Sequence, residues 1–184
     1  MASVLVPISN GFEEIEAVSL IDVMRRGGIE VVTASLGDRE VHGANGITII
    51  ANNKIDNVRV EDFDMIVLPG GHDNAIHLKE SEKVQALLKA FDSAGKNVGA
   101  ICAAPMALNE AGLIKNRYTC YPSYEEGIGV DKFTDKEKVV IDGNIMTSRG
   151  PGTALCFGLA IVKKLVGEET YLALKQGLLA DYCE

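Results

Sequence analysis

Apolar positions along the chain change period several times, and each change marks an element. Residues 3–8 (SVLVPI) form a continuous β-rich apolar run that Ser9-Asn10-Gly11 breaks. Over 12–26 the spacing turns helical through Ile15, Val18, Leu20, Ile21 and Met24, and Gly27-Gly28 closes the segment. A second apolar run at 30–35 completes a βαβ unit, which requires parallel strands and a right-handed crossover. Between 37 and 53, short apolar runs punctuated by Gly43 and Asn45-Gly46 predict a small β-hairpin arm. Residues 64–68 read as a buried strand ending in Pro69-Gly70-Gly71, and 80–94 as an amphipathic helix with Val84, Leu87, Leu88 and Phe91 on one face. A strand then runs into Cys102, a helix follows to residue 111, and 118–121 reads as a short strand before Pro122. The acidic, turn-rich stretch 123–138 is expected on the surface. Residues 139–141 and 144–148 pair in antiparallel fashion around Asp142-Gly143, and helices over 153–165 and 168–180 finish the chain.

This alternation predicts a three-layer α/β/α sandwich with a mainly parallel sheet, in one domain covering 1–184. Ligands in such sheets bind beyond the carboxyl ends of the strands. Three loops converge there: Asn10-Gly11, Gly70-Gly71 and the turn at Cys102.

Composition narrows the function classes. Hydrophobic residues at 47% and charged residues at 24% suit a soluble globular fold of this length. A net charge of −8 without a basic stripe argues against a nucleic-acid partner. No apolar run is long enough to span a membrane and no signal-peptide pattern opens the chain, so the expected location is the cytoplasm. Cys102, Cys120, Cys156 and Cys183 form no CxxC pair, and in that compartment they are expected as reduced thiols. Cys156, inside a predicted helix, is expected as core. No HExxH or paired-histidine spacing exists among His42, His72 and His77, so no metal site is expected.

The candidate chemistry centres on Asn97-Val98-Gly99-Ala100-Ile101-Cys102-Ala103-Ala104-Pro105. A strand ending in a thiol, followed by small residues and a helix start, is the layout of a nucleophile elbow. The helix N-terminus is expected to favour the thiolate. Glu13 and Glu14 read as charge compensation in the first helical turn. Glu16, flanked by Ile15 and Ala17 one turn further in, is expected to point at the sheet. A carboxyl buried beside a thiolate stays protonated and serves as acid/base. Pro69-Gly70-Gly71 is either a plain turn or, through the Gly71 N–H with that of Ala103, an oxyanion hole. His72 either reaches the pocket or stands as a solvated loop residue. Cys120 either lines the pocket or acts as a resolving thiol. Arg149-Gly150-Pro151-Gly152-Thr153 matches neither phosphate-binding glycine pattern and reads as a rigid turn beside the site.

On these residues the chain resembles the ThiJ/PfpI superfamily, in the branch that contains the human parkinsonism-associated protein deglycase and its bacterial relatives. The likeness rests on Glu13-Glu14-Ile15-Glu16, the segment 22–29, Val67-Leu68-Pro69-Gly70-Gly71, Ala100-Ile101-Cys102-Ala103-Ala104-Pro105 and Thr147-Ser148-Arg149-Gly150-Pro151-Gly152-Thr153. It implies a flavodoxin-like fold, a homodimer and no cofactor. It also implies Cys102 as reactive cysteine, Glu16 as its protonated partner, and Gly71 and Ala103 as oxyanion-binding backbone. Glyoxalase or deglycase activity on a small 2-oxoaldehyde or a glycated amine or thiol is implied, with an oxidation-sensing or chaperone-like role as the alternative. Three positions depart from the pattern. Ala103 replaces the histidine of the protease-like branch, Tyr121 stands where some relatives carry a histidine before the proline, and Ala104 replaces a common glycine.

Overall fold

A computed structural model describes residues 1–183. A seven-stranded sheet runs in the order β5-β2-β1-β6-β7-β9-β8, with ranges β1 Ser3–Ile8, β2 Glu30–Ser35, β5 Asn53–Lys54, β6 Met65–Leu68, β7 Asn97–Ile101, β8 Val139–Asp142 and β9 Ile145–Ser148. Every pairing is parallel except that of the edge strand β8 with β9. Alternate side chains of the central strands enter opposite cores: Val4, Val6 and Ile8 face one and Leu5 the other. Both faces are therefore buried, which explains why these strands read as unbroken apolar runs. Helices α1 (Glu14–Arg26), α6 (Ala154–Leu165) and α7 (Glu168–Gly177) cover one face, and α2 (His72–Glu80), α3 (Glu82–Ser93) and α4 (Pro105–Glu110) the other. The fold is the predicted three-layer sandwich of flavodoxin type.

The hairpin arm also forms, with β3 (Glu40–His42) antiparallel to β4 (Thr48–Ile50). Its turn is held from α1. The Glu14 carboxylate accepts from Asn45 N at 2.6 Å, Asn45 Nδ2 at 2.9 Å and Ile47 N at 3.3 Å. Burial raises the pKa of this carboxyl. The donors on Asn45 and Ile47 outweigh burial and hold it below the usual carboxylate range. Glu14 thus clamps the arm, beyond any compensation of the helix dipole.

Two expectations are corrected and one helix is added. A helix the pattern does not predict, α2, ends at Glu80, and the helix predicted over 80–94 follows it as α3 (Glu82–Ser93). Ser81 ends the first and caps the second, its hydroxyl accepting from Val84 N at 3.3 Å. The strand predicted over 118–121 is a single bridge between Tyr118 and Phe133, because Tyr121 N is taken by the Cys102 carbonyl at 2.9 Å. The surface stretch that follows carries a one-turn helix, α5 (Glu125–Ile128). The four cysteines are not all reduced: Cys156 and Cys183 are joined in a disulfide, both buried, which ties α6 to the end of the chain. No helix among the described residues is long and apolar enough to cross a membrane.

The bridge closes a loop across 27 residues of sequence separation, so its loss should destabilise the fold by about 2–4 kcal/mol. In urea unfolding, Cys183→Ser should lower the midpoint, and reductant should bring the parent down to the same value. Denatured without reductant, the parent should yield two alkylatable thiols out of four cysteines. Four accessible thiols would contradict the bridge.

Candidate active site

Strands β1, β6 and β7 end side by side, which brings the loops after them to one place. Cys102 closes β7 with φ +65°, a left-handed conformation that costs a non-glycine residue about 1–3 kcal/mol. The elbow is fixed on both sides: Cys102 N donates to Ser148 O at 3.0 Å, and Cys102 O accepts from Tyr121 N. Ala104 has ordinary right-handed angles (φ −64°, ψ −23°), so alanine fits where a glycine is common.

Glu16 is fully buried. Its helix is capped by Glu13, whose carboxylate accepts from Glu16 N at 2.8 Å. Gly70 N donates to Glu16 Oε2 at 2.8 Å. Oε1 is buried without a regular hydrogen-bond partner, and the carboxyl's remaining polar interaction is with the Cys102 thiol. A side chain on Gly70 would collide with Glu16 Oε2 and lie 2.6 Å from Cys102 Cβ. Gly71 has φ +92°, and a side chain there would strike the Gly11 carbonyl. The two glycines therefore let backbone reach the sulfur. The N–H groups of Gly71 and Ala103 both donate toward it.

The electrostatics of the pair follow from burial. Desolvation pushes the Glu16 pKa from 4.5 to about 7, assisted by the charge of Glu13 and opposed by hydrogen bonds from Cys102 and Gly70. Burial also pushes the Cys102 thiol up, followed by the negative charge of Glu16, while the Gly71 and Ala103 N–H groups pull it down. This corrects the expectation of a thiolate favoured by the helix dipole, since α4 is only six residues long. The pair titrates as a unit and carries at most one negative charge through neutral pH. The thiolate becomes available when Glu16 holds the proton.

The other predicted residues divide. Tyr121 and Arg149, with Pro122, Gly150 and Thr153, line a cavity of about 220 Å³. A Cβ on Gly150 would lie 3.1 Å from the Tyr121 ring and 4.0 Å from Glu16 Oε1, so this cavity borders the pair. Arg149 Nη1 donates to Asp135 O at 3.4 Å, and its Nε is buried without a partner among the described residues. His72 is the first residue of α2 rather than a loop residue. Its Nδ1 lies 2.6 Å from Tyr124 Oη, and Tyr124 packs edge-on against Tyr121. Tyr124 is a site neighbour the sequence does not announce: an aromatic in an acidic surface stretch has no periodic signal. The buried Cys120 thiol is engaged by Glu125 at 3.9 Å and pushed up to about 12, first by burial and then by the charge of Glu125. A larger cavity of about 590 Å³, lined in part by Ser9, Asn10, His42 and His77, contains neither free cysteine. Its size does not make it the reactive centre. Among the described residues no cluster of three or more His, Cys, Asp or Glu could hold a metal ion.

A flavodoxin-like sandwich with an elbow cysteine against a buried glutamate defines a class, and comparison places the chain within it. The chain belongs to the DJ-1/PfpI family, whose model matches residues 2–164. Drosophila melanogaster dj-1beta is 38% identical over 98% of both chains, and its crystal structure matches with a TM-score of 0.92 over 97% of each. Oxidized Toxoplasma gondii DJ-1 matches with a TM-score of 0.93 at 35% identity, over 97% of this chain and 98% of that one. A Caenorhabditis elegans relative named glutathione-independent glyoxalase DJR-1.2 is 37% identical over 97% of this chain and 96% of its own. The chain spans less than half the length of two Arabidopsis thaliana DJ-1 homologues, A and B, that it matches at 41% identity.

The raised carboxyl makes a stability prediction. Unfolded Glu16 ionises near 4.5 and folded Glu16 near 7, so between these values the folded chain binds more protons. Stability should fall as pH rises through that window, by about 3 kcal/mol in full above it. Urea unfolding at about pH 5 and about pH 8 should show this loss in the parent and not in Glu16→Gln. A parent as flat as the variant would contradict the assignment.

Proposed function

We propose that the chain is a cofactor-independent glyoxalase or protein deglycase acting on methylglyoxal, related 2-oxoaldehydes, or early glycation adducts of amines and thiols. The observation that carries this reading is the buried Glu16 carboxyl set against the Cys102 sulfur, with the Gly71 and Ala103 N–H groups directed at the same sulfur. Glu16 takes the thiol proton, and the thiolate attacks the aldehyde carbon to form a C–S bond. The two N–H groups steady the oxyanion until Glu16 hands it the thiol proton, which gives the hemithioacetal and returns Glu16 to the carboxylate. Glu16 removes the proton from the sulfur-bearing carbon, giving an enediol, and a proton returns to the neighbouring carbon. The product is a thioester of a 2-hydroxy acid. Water cleaves the C–S bond and releases the acid, lactate from methylglyoxal, and the free thiol. One carbon is oxidised and its neighbour reduced, so the sum is addition of water. A hemiaminal or hemithioacetal adduct first breaks its C–N or C–S bond, the hydroxyl proton passing to the departing amine or thiol, and the aldehyde so regenerated enters the same route. The name of the nematode relative supports the glyoxalase reading.

A second reading rests on the same donors. Oxidation of Cys102 to sulfinic acid would add oxygens that the Gly71 and Ala103 N–H groups and a protonated Glu16 suit as partners.

Methylglyoxal consumption with chiral detection of lactate separates the two. The parent should turn over, and Cys102→Ser and Glu16→Gln should each lose activity by at least about a hundred-fold while remaining folded. Retained turnover in Cys102→Ser would overturn the mechanism. A parent without turnover, whose Cys102 alone gains two oxygens under mild peroxide, would transfer the function to the second reading.

We further propose a homodimer through α1 and the hairpin arm. Ile15, Val18, Ile47 and Ile50 are 57%, 46%, 54% and 61% exposed, and Val18 and Ile50 line one groove with Ile21 and Ile49. Such a patch is what a second copy would cover. Sedimentation should show a dimer that Val18→Glu converts to a monomer, and a monomeric parent would refute the assignment.

A further inference from the structure

Of the three peptide groups that address the reactive pair, the two that end in Gly70 N–H and Gly71 N–H have their carbonyls held by one side chain. Asn74, in the first turn of α2, is fully buried and turned inward. Its Nδ2 donates to Pro69 O at 2.9 Å and to Gly70 O at 3.0 Å. Its Oδ1 accepts from Ser9 N at 2.8 Å and lies 3.1 Å from Ser9 Oγ, which in turn lies 2.9 Å from His77 Nδ1. These partners admit one orientation of the carboxamide, since a flip would set its oxygen against two carbonyls and its NH₂ against an N–H.

A peptide group is planar, with C=O and the following N–H pointing in opposite directions. Gly70 O and Gly71 N–H belong to one such plane. Asn74 Nδ2 holds its oxygen, together with Glu13 N at 3.1 Å, and its hydrogen is the one that faces Cys102. Pro69 O and Gly70 N–H belong to the preceding plane. Asn74 Nδ2 holds that oxygen too, and the hydrogen meets Glu16 Oε2 at 2.8 Å. The planes flank Gly70, and Gly71 follows with φ +92°. Neither glycine has a side chain to resist rotation of its peptides.

We propose that Asn74 is the positioning residue of the site: its carboxamide orients two successive peptide planes, one toward the Glu16 carboxyl and the next toward the Cys102 sulfur. The hydrogen-bond partners of Asn74 are Ser9, Pro69 O and Gly70 O, and neither Glu16 nor Cys102 is among them. Asn74 acts through Gly70 and Gly71, and Ser9 with His77 anchors its far side to the end of β1.

The proposal shares its geometry with the functional reading above, and its test does not require turnover. The rate of Cys102 alkylation by iodoacetamide is measured against pH in the parent and in Asn74→Ala, with the urea midpoint alongside. Loss of an oriented donor should move the alkylation midpoint to higher pH and slow the reaction at neutral pH about ten-fold. Where the alanine variant does not fold, Asn74→Asp replaces it. That isostere keeps the acceptor for Ser9 N–H and, once ionised, donates to neither carbonyl, so the same shift is expected. Ser9→Ala leaves both carbonyl contacts in place and should leave the midpoint unmoved. A lower urea midpoint with an unchanged alkylation profile in the Asn74 variants would reduce the residue to a structural role and overturn the proposal. Should the parent turn over methylglyoxal, kcat should fall in Asn74→Ala with KM little changed. A parent without turnover defeats the functional reading and leaves the alkylation test of Asn74 standing.

Discussion

A carboxyl and a thiol buried against each other cannot both carry charge, and much of the site is arranged around that constraint. Taking either group out of water disfavours its anion, and placing them together disfavours a second charge more strongly still. The outcome at Glu16 and Cys102 is a pair that keeps a proton between them near neutral pH. Which atom holds the charge is set by the donors: Gly70 N–H on the carboxyl, Gly71 and Ala103 N–H on the sulfur. The arrangement needs backbone at distances that side chains would block, which accounts for two glycines after β6 and small residues after Cys102.

Holding such a pair requires that its surroundings be over-determined. Cys102 keeps an unfavourable backbone angle because both its N–H and its C=O are committed, to β9 and to the Tyr121 peptide. Glu16 is held by a helix whose cap, Glu13, donates its own N–H to Gly70 O. The first helix therefore performs three tasks in four residues. Glu13 caps, Glu14 holds the hairpin turn, and Glu16 faces the thiol. Nothing in the run of acidic residues alone distinguishes these roles.

How much was legible in the sequence follows from the range of the interactions. The buried strands were legible because a doubly covered sheet demands unbroken apolar runs, and the elbow because glycine, alanine and proline surround one thiol. The inward direction of Glu16 is expected from its place between Ile15 and Ala17, of which only Ala17 is buried with it. The clamp by Glu14 was not, since its partners lie 31 residues and more along the chain on a turn whose position depends on the hairpin. Helix α2 is not legible because its nine residues hold few apolar positions, and the Ser81 cap that separates it from the legible α3 is a matter of hydrogen bonds. The Cys156–Cys183 bridge depends on where the last residues return, and spacing carries no such information. The thiol's environment is not legible for a related reason. Helix-dipole reasoning sees the elbow and not the burial, and in this site burial and a carboxyl neighbour outweigh a six-residue helix.

The central claim, that Glu16 retains its proton in the folded chain where ordinary carboxyls have lost theirs, can be read without any substrate. Infrared difference spectroscopy of the protein near pH 6, parent minus Glu16→Gln, isolates the stretch of a protonated carboxyl from the ionised background. The account predicts one such band, present near pH 6 and fading as pH rises through about 7. A spectrum without that band, with Glu16 ionised near the usual value of 4.5, would contradict it.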